Sequence, residues 1–255
     1  MIRLILFVLA LLLVAISSLI AFPISLLIGL FSKNNKDRFS LGYVKFALRL
    51  FLLCAGAKVQ YIGLENLPKQ GESVVYIGNH RSFFDVIATY PVMPTLTGFI
   101  AKKEMHTWPV VSWWMKNVYC LFLDRKNHRE GIKTILEGIQ NVKNGVSMVI
   151  FPEGTRSRQE GHVAAFHNGS FKLATKSGAK IVPVVYNNSS AIWEDHLPWM
   201  HSAVMTVEFC KPIETAGLSV DEQTELVGKV HDIILKKHLE NGKALGSLPE
   251  DIDND

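Results

Sequence analysis

From Leu4 to Phe31 the chain carries no charged residue. The run is roughly 28 residues long, against the about 20 that a helix needs to cross a bilayer. It is also too long for a secretory signal, whose apolar region is about 7–15 residues. Pro23 and Gly29 can kink or break it, which leaves a re-entrant or shallow helix open beside a full span. Only Arg3 and the amino terminus precede the run, whereas Lys33, Lys36, Arg38, Lys45 and Arg49 follow it closely. That bias predicts a cytoplasmic location for everything after Phe31. The next segment, LGYVKFALRLFLLCAGAK, sets Lys45 and Arg49 four apart on one helical face. It reads as an interfacial helix with a basic stripe on anionic head groups, the plainer alternative being a core helix with a solvated edge. Residues 1–57 are thus expected to form a membrane-associated helical anchor.

After Lys58 the pattern changes. Val59–Ile62, Val74–Ile77, Leu96–Ala101, Cys120–Leu123, Val146–Phe151, Ile181–Tyr186 and Val204–Phe209 read as strands, several continuously apolar as strands buried on both faces are. Between them Ile132, Ile135, Leu136, Ile139 and Val142 form a helical stripe, with Gly145 as a C-cap. Ser219 and Glu222 have capping-box spacing ahead of a last helix. Interleaved strands and helices predict an α/β domain over 58–240, its sheet mixed and largely parallel and flanked by helices. Residues 241–255 are expected to form a polar, flexible tail. The net charge of +4 is too mild to announce nucleic acid, and none is expected as a partner. Cys54, Cys120 and Cys210 are scattered, with no CxxC or zinc spacing, which predicts buried thiols in a reducing compartment and no structural metal.

Open α/β sheets collect chemistry at the carboxyl ends of their strands. Two stretches fall there. NHRSFFD, Asn79 to Asp85, follows the second strand, and FPEGTRSR follows the fifth. In the first, Ser82 and Asp85 fit a helix start, which by itself would make His80 an incidental loop residue. On one continuous helix His80 and Asp85 would stand about 140° apart. With His80 in the turn before the helix, its imidazole can fold back on Asp85, which fixes the tautomer and leaves Nε2 as a base for an alcohol proton. In the second stretch Pro152 stops the strand, Gly154 lets backbone approach a ligand, Glu153 can bond a hydroxyl and Arg156 offers a fork for phosphate. Lys102, Lys103 and Arg125 are further cations near strand ends.

NHRSFFD resembles the first motif block of the glycerolipid acyltransferases, which share NHxxxxD. LFLDR (Leu121 to Arg125), FPEGTRS (Phe151 to Ser157) and IVPVVY (Ile181 to Tyr186) resemble the second, third and fourth, in family order, and AKKEM (Ala101 to Met105) resembles the segment between the first two. The likeness runs from about Val59 to Phe209. It implies acyl transfer from acyl-CoA or acyl-acyl carrier protein to the 2-hydroxyl of lysophosphatidic acid, without metal or cofactor. It implies His80 as general base and Asp85 as its orienter. Glu153, Gly154, Thr155 and Arg156 would line the acceptor site, with Arg125 and Lys103 as further phosphate contacts. It also implies a membrane enzyme, at the inner membrane if the source is bacterial, with its catalytic domain facing the cytoplasm. One departure is His167 in FHNGSFKLA, where many relatives carry Lys, which leaves any contact assigned there in doubt. Three rival readings remain at this stage. One is the same chemistry on another lysolipid. A second is a non-catalytic module for anionic lipid. The third is a metal hydrolase using His80, Asp85 and Glu153, which the lack of a second clustered histidine disfavours. Trp108, Trp113 and Trp114 are expected near the head-group level, core packing being the alternative.

Overall fold

The computed structural model describes residues 1–250. Two antiparallel helices come first: α1, Ile2–Phe31, and α2, Lys33–Ala55, joined at Ser32. Ser32 accepts from the Asn35 amide and caps α2, and Gly56 ends it in the left-handed region at φ +75°.

This hairpin is fastened along the α/β domain. Near its start Phe7 packs on Phe51 of α2 and on Phe84. Further along, the short helix α4, Val111–Asn117, meets polar residues of α1: Trp114 Nε1–H donates to Ser18 at 2.9 Å, and Asn117 donates to Ser25 at 3.0 Å. At the turn, Lys33 lies over the Tyr119 ring, whose hydroxyl donates to Asp37 at 3.0 Å. Both ends of α1 therefore touch the same domain. Its other face stays open, with Leu9, Leu13, Ile16, Leu19, Ile20 and Leu27 all exposed.

Two sequence expectations meet this packing. Lys45 and Arg49 do not form a free basic stripe: Lys45 donates to the Met93 carbonyl and Arg49 to that of Pro91, at 2.9 Å. Carbonyls left over at the end of a short helical segment attract cations more closely than solvent does. The three indoles separate as well. Trp114 is core, stacked on Tyr43 at 4.2 Å; Trp113 is half-buried against Phe22; Trp108 is exposed.

The seven strands are β1 (Lys58–Ile62), β2 (Val75–Gly78), β3 (Thr97–Lys102), β4 (Leu121–Leu123), β5 (Ser147–Ile150), β6 (Ile181–Asn187) and β7 (Val204–Phe209). They form one sheet in the order β1-β7-β6-β2-β5-β3-β4, parallel throughout except where β6 and β7 run antiparallel. The central strands β2, β5 and β6 are buried along their whole length, while edge strand β1 alternates, as its half-covered position requires. One face of the sheet, with Tyr76, Phe99, Val149 and Val184, packs with Leu52 of α2 and Phe84 of α3, Phe83–Thr89. The opposite face, with Val75, Ile77, Met148 and Ile150, packs on α5 (His128–Lys143), α6 (Asn168–Thr175) and α7 (Val220–Leu245).

Helix α5 buries only part of its apolar stripe: Ile139 and Val142 are core, whereas Ile132 and Leu136 are exposed along a cavity. Helix α7 starts in the Ser219–Glu222 capping box and continues past the expected boundary at 241, as far as Leu245. Leu248 then folds back and is buried against Gly242, where a Cβ would meet its side chain at 2.4 Å. Apolar contact thus orders the first half of what its polar composition marks as a tail, and residues 251–255 lie outside the described ones.

Candidate active site

β2 and β5 are neighbouring parallel strands, paired from Val75 with Met148 to Ile77 with Ile150. Their carboxyl ends lie side by side, so the turns that follow them meet. Asn79 continues the β2–β6 ladder with its side chain: Nδ2 donates to the Tyr186 carbonyl and Oδ1 accepts from the Tyr186 amide, each at 2.9 Å. Gly78 allows this closeness, since a Cβ there would stand 2.8 Å from the Tyr186 ring.

His80 follows, and its peptide is held on both sides by the FPEGTRS turn. Its N–H donates to Glu153 Oε1 at 2.7 Å, and its carbonyl accepts from the Ser157 amide at 2.8 Å. Glu153 Oε2 accepts from the Ala164 amide at 3.0 Å. Burial raises the Glu153 carboxyl above its ordinary range, and these amide bonds oppose the rise. Oε1 thus joins the two turns, and Oε2 holds the loop at Ala164.

The imidazole lies flat on Phe151, centroids 4.0 Å apart and planes 11° apart. Nδ1 stands 2.8 Å from Asp85 Oδ2. The same oxygen accepts the amides of Arg81 at 2.8 Å and Ser82 at 2.9 Å. A carboxylate oxygen bonded this way is an acceptor, so Nδ1 carries the hydrogen and Nε2 the lone pair. Helix start and the His80–Asp85 pair are therefore one arrangement, since the capping-box carboxylate is also the carboxylate that orients His80. Asp85 is fully buried; His80 is 18% exposed and lines the cavity.

That cavity has a volume of about 1880 Å³. Its apolar part lies between the hairpin and the sheet, lined by Leu11, Leu12, Tyr43, Leu48, Phe99 and Trp114. Its polar part is lined by Lys102, Arg125, Glu153, Gly154, Thr155, Arg156 and His167. Gly154 has φ +72°, and a Cβ on it would stand 3.3 Å from the His167 ring, so both backbone and space favour glycine. Arg156 lies over the Phe83 ring at 4.3 Å and donates to Glu194 at 3.1 Å. Lys103 is outside the lining, one contact behind it: its ammonium is on Asp124, a lining residue, at 2.8 Å, while Lys102 lines the cavity directly.

At the start of α3, the amides of Arg81 and Ser82 serve Asp85, that of Phe83 serves Glu194 and that of Phe84 serves the Ser82 hydroxyl. They are spoken for before any substrate arrives. Ser82 Oγ in turn donates to Glu194 at 2.7 Å. The amides of Thr155 and Arg156 make no hydrogen bond among the described residues. Cys120 and Cys210 are buried, and burial pushes their thiols up to about 11 and about 12.

Three parts of the site carry no local motif that would name their partners. Phe151 reads as the end of a strand, Asn79 as a turn residue, and Glu194 as one acid in a polar loop.

A family model described as Acyltransferase matches residues 58–187. The 1-acyl-sn-glycerol-3-phosphate acyltransferase of Saccharomyces cerevisiae is 35% identical over 182 residues, covering 71% of this chain and 59% of the yeast protein. The chain thus spans less than two thirds of that relative. The protein of the same description from Borreliella burgdorferi is 28% identical over 200 residues, covering 78% of this chain and 79% of its own. The crystal structure of the 1-acyl-sn-glycerophosphate acyltransferase PlsC from Thermotoga maritima has the same fold, with a TM-score of 0.78 at 23% identity over 93% of this chain and 94% of that one.

Proposed function

This chain belongs to the Acyltransferase family, and from that premise we propose that it acylates the free hydroxyl of lysophosphatidic acid, giving phosphatidic acid. The acyl group comes from acyl-CoA or acyl-acyl carrier protein. The observation that carries this reading is His80, held by Asp85 at 2.8 Å and opening on a cavity with an apolar chamber on one side and Arg156 on the other. The descriptions of the yeast and Borreliella relatives name the same acceptor class.

The step follows from the geometry. Nε2 of His80 takes the acceptor's hydroxyl proton while that oxygen attacks the thioester carbonyl. The amides of Thr155 and Arg156, free in the turn beside His80, are the candidates to steady the oxyanion. As the tetrahedral carbon collapses, the C–S bond breaks and the proton on Nε2 passes to the departing thiolate. Transfer is direct, because Ser82 is engaged by Glu194 and Phe84, Cys120 and Cys210 are buried, and Cys54, half-buried on α2 rather than buried as expected, is outside the cavity lining. The apolar chamber holds an acyl chain, and Arg156, with Arg125 and Lys102 nearby, receives the acceptor phosphate.

The test is acyl transfer by purified protein to lysophosphatidic acid from each donor, wild type beside Arg156→Lys. Phosphatidic acid is expected, and Arg156→Lys should raise the acceptor KM about tenfold, the size of one charge-assisted bond. No product with either donor sinks the reading. Equal rises in the KM of donor and acceptor remove Arg156 from the phosphate.

The apolar helix α1 makes the protein membrane-associated. Because both ends of α1 pack on the catalytic domain, the helix lies along the bilayer surface with its exposed leucines and isoleucines in the acyl region, on the cytoplasmic side. Cysteine introduced as Lys33→Cys in a Cys54→Ala background should then react with an impermeant thiol reagent added from the cytoplasmic side. Labelling only from the opposite side would show that the α1–α2 hairpin crosses the bilayer.

A further inference from the structure

Glu194 lies beyond residue 187, where the family match ends, in the short turn Glu194–His196 after β6. Its carboxylate accepts three hydrogen bonds: from Ser82 Oγ at 2.7 Å, from the Phe83 amide at 2.9 Å and from Arg156 at 3.1 Å. Phe83 is thus gripped twice, its backbone by Glu194 and its ring by the Arg156 guanidinium above it. The segment is itself tied down. Arg81 donates to Asp195 at 3.2 Å and to Ser190 at 2.6 Å, and Ser190 donates to Asp195 at 2.7 Å. It straps the turn that carries His80.

We propose that Glu194 is a positioning residue for the acceptor: it holds Arg156 in register with the helix that bears Asp85, so that a phosphate on Arg156 sets the acceptor hydroxyl at His80. This rests on the acyltransferase reading above. A guanidinium has five N–H donors, and Glu194 engages only one nitrogen, which leaves the rest of the fork for phosphate. An arginine without such a hold must give up its side-chain freedom when the phosphate arrives. The carboxylate's repulsion of that phosphate is blunted, because Ser82 and the Phe83 amide also draw on its charge.

The plainer alternative is a helix cap and nothing more, and a double-mutant cycle separates the two. Equilibrium binding of lysophosphatidic acid in detergent micelles is compared for the wild type, Glu194→Ala, Arg156→Ala and the double variant. Glu194→Ala is expected to weaken binding about tenfold, and the double variant no more than Arg156→Ala alone, because Glu194 acts through Arg156. Effects that multiply, or unchanged binding in Glu194→Ala, overturn the proposal. Should Glu194→Ala not fold, Glu194→Gln decides, since its oxygen still accepts from the Phe83 amide and its NH₂ can donate to Ser82 Oγ, while the charge toward Arg156 is lost. A loss of a few-fold is expected, and unaltered affinity counts against the proposal. In turnover, the acceptor KM should rise with the donor KM unchanged; an equal rise in both assigns Glu194 to the helix alone. A wild type that binds lysophosphatidic acid but transfers no acyl group would sink the acyltransferase reading while leaving the binding cycle to judge Glu194.

Discussion

His80→Ala is expected to lower turnover by about 10²–10⁴, the usual contribution of a positioned general base. The ring is fixed by two contacts, the Phe151 face at 4.0 Å and Asp85 Oδ2 at 2.8 Å, which leaves Nε2 toward the cavity. Its backbone is held separately by Glu153 and Ser157, so removing the ring leaves the two turns joined. The variant should therefore stay folded and bind lysophosphatidic acid with near-normal affinity. The measurement is kcat beside the acceptor binding constant. Near-normal kcat in folded protein would remove His80 from the chemistry and favour a lipid-binding module. A loss of binding as large as the loss of kcat would make the ring a packing element.

Asp85→Asn should cost about 10² in kcat with little loss of stability. Oδ2 accepts from Nδ1 of His80 and from the amides of Arg81 and Ser82, while Oδ1 is buried without a partner. The two backbone amides will hold the amide oxygen of an asparagine in the Oδ2 place, since an NH₂ there would face two donors. The Nδ1–H tautomer is then kept. What disappears is the negative charge that stabilises the imidazolium while the proton is on His80. Asp85→Ala differs, because it strands two buried amides at about 1–3 kcal/mol each. Thermal unfolding and kcat measured on both variants check this. Full activity in Asp85→Asn would show Asp85 to be only a helix cap, as would a loss that merely tracks the unfolded fraction.

Seven strands, their order along the chain and the last capping box were legible because each is a local pattern: an apolar run bounded by turn residues, or a Ser–x–x–Glu. His80 and Asp85 were legible because five positions bring them together across a single turn. Lys103 and Lys102 could not be told apart, since both are cations at the end of β3. Both meet a carboxylate, Lys102 that of Glu104 and Lys103 that of Asp124, and what separates them is that only Lys102 lines the cavity. The polar serines of α1 likewise look like ordinary interruptions of an apolar run until Trp114 and Asn117 arrive to bond them.

By itself the sequence determined the seven strands, the longer helices, the apolar run at the start of the chain and the place of His80 and Asp85 after β2, because backbone propensity and side-chain periodicity act over a few residues. Only the tertiary structure decided that β2 and β5 are neighbours, which joins His80 to Glu153 and Ser157. It also decided that α1 lies along the domain and that Glu194 closes over Ser82 and Arg156. Those contacts link segments far apart in the chain. Their partners are chosen by the burial of two sheet faces and the satisfaction of buried polar groups, which are properties of the whole fold rather than of any one stretch.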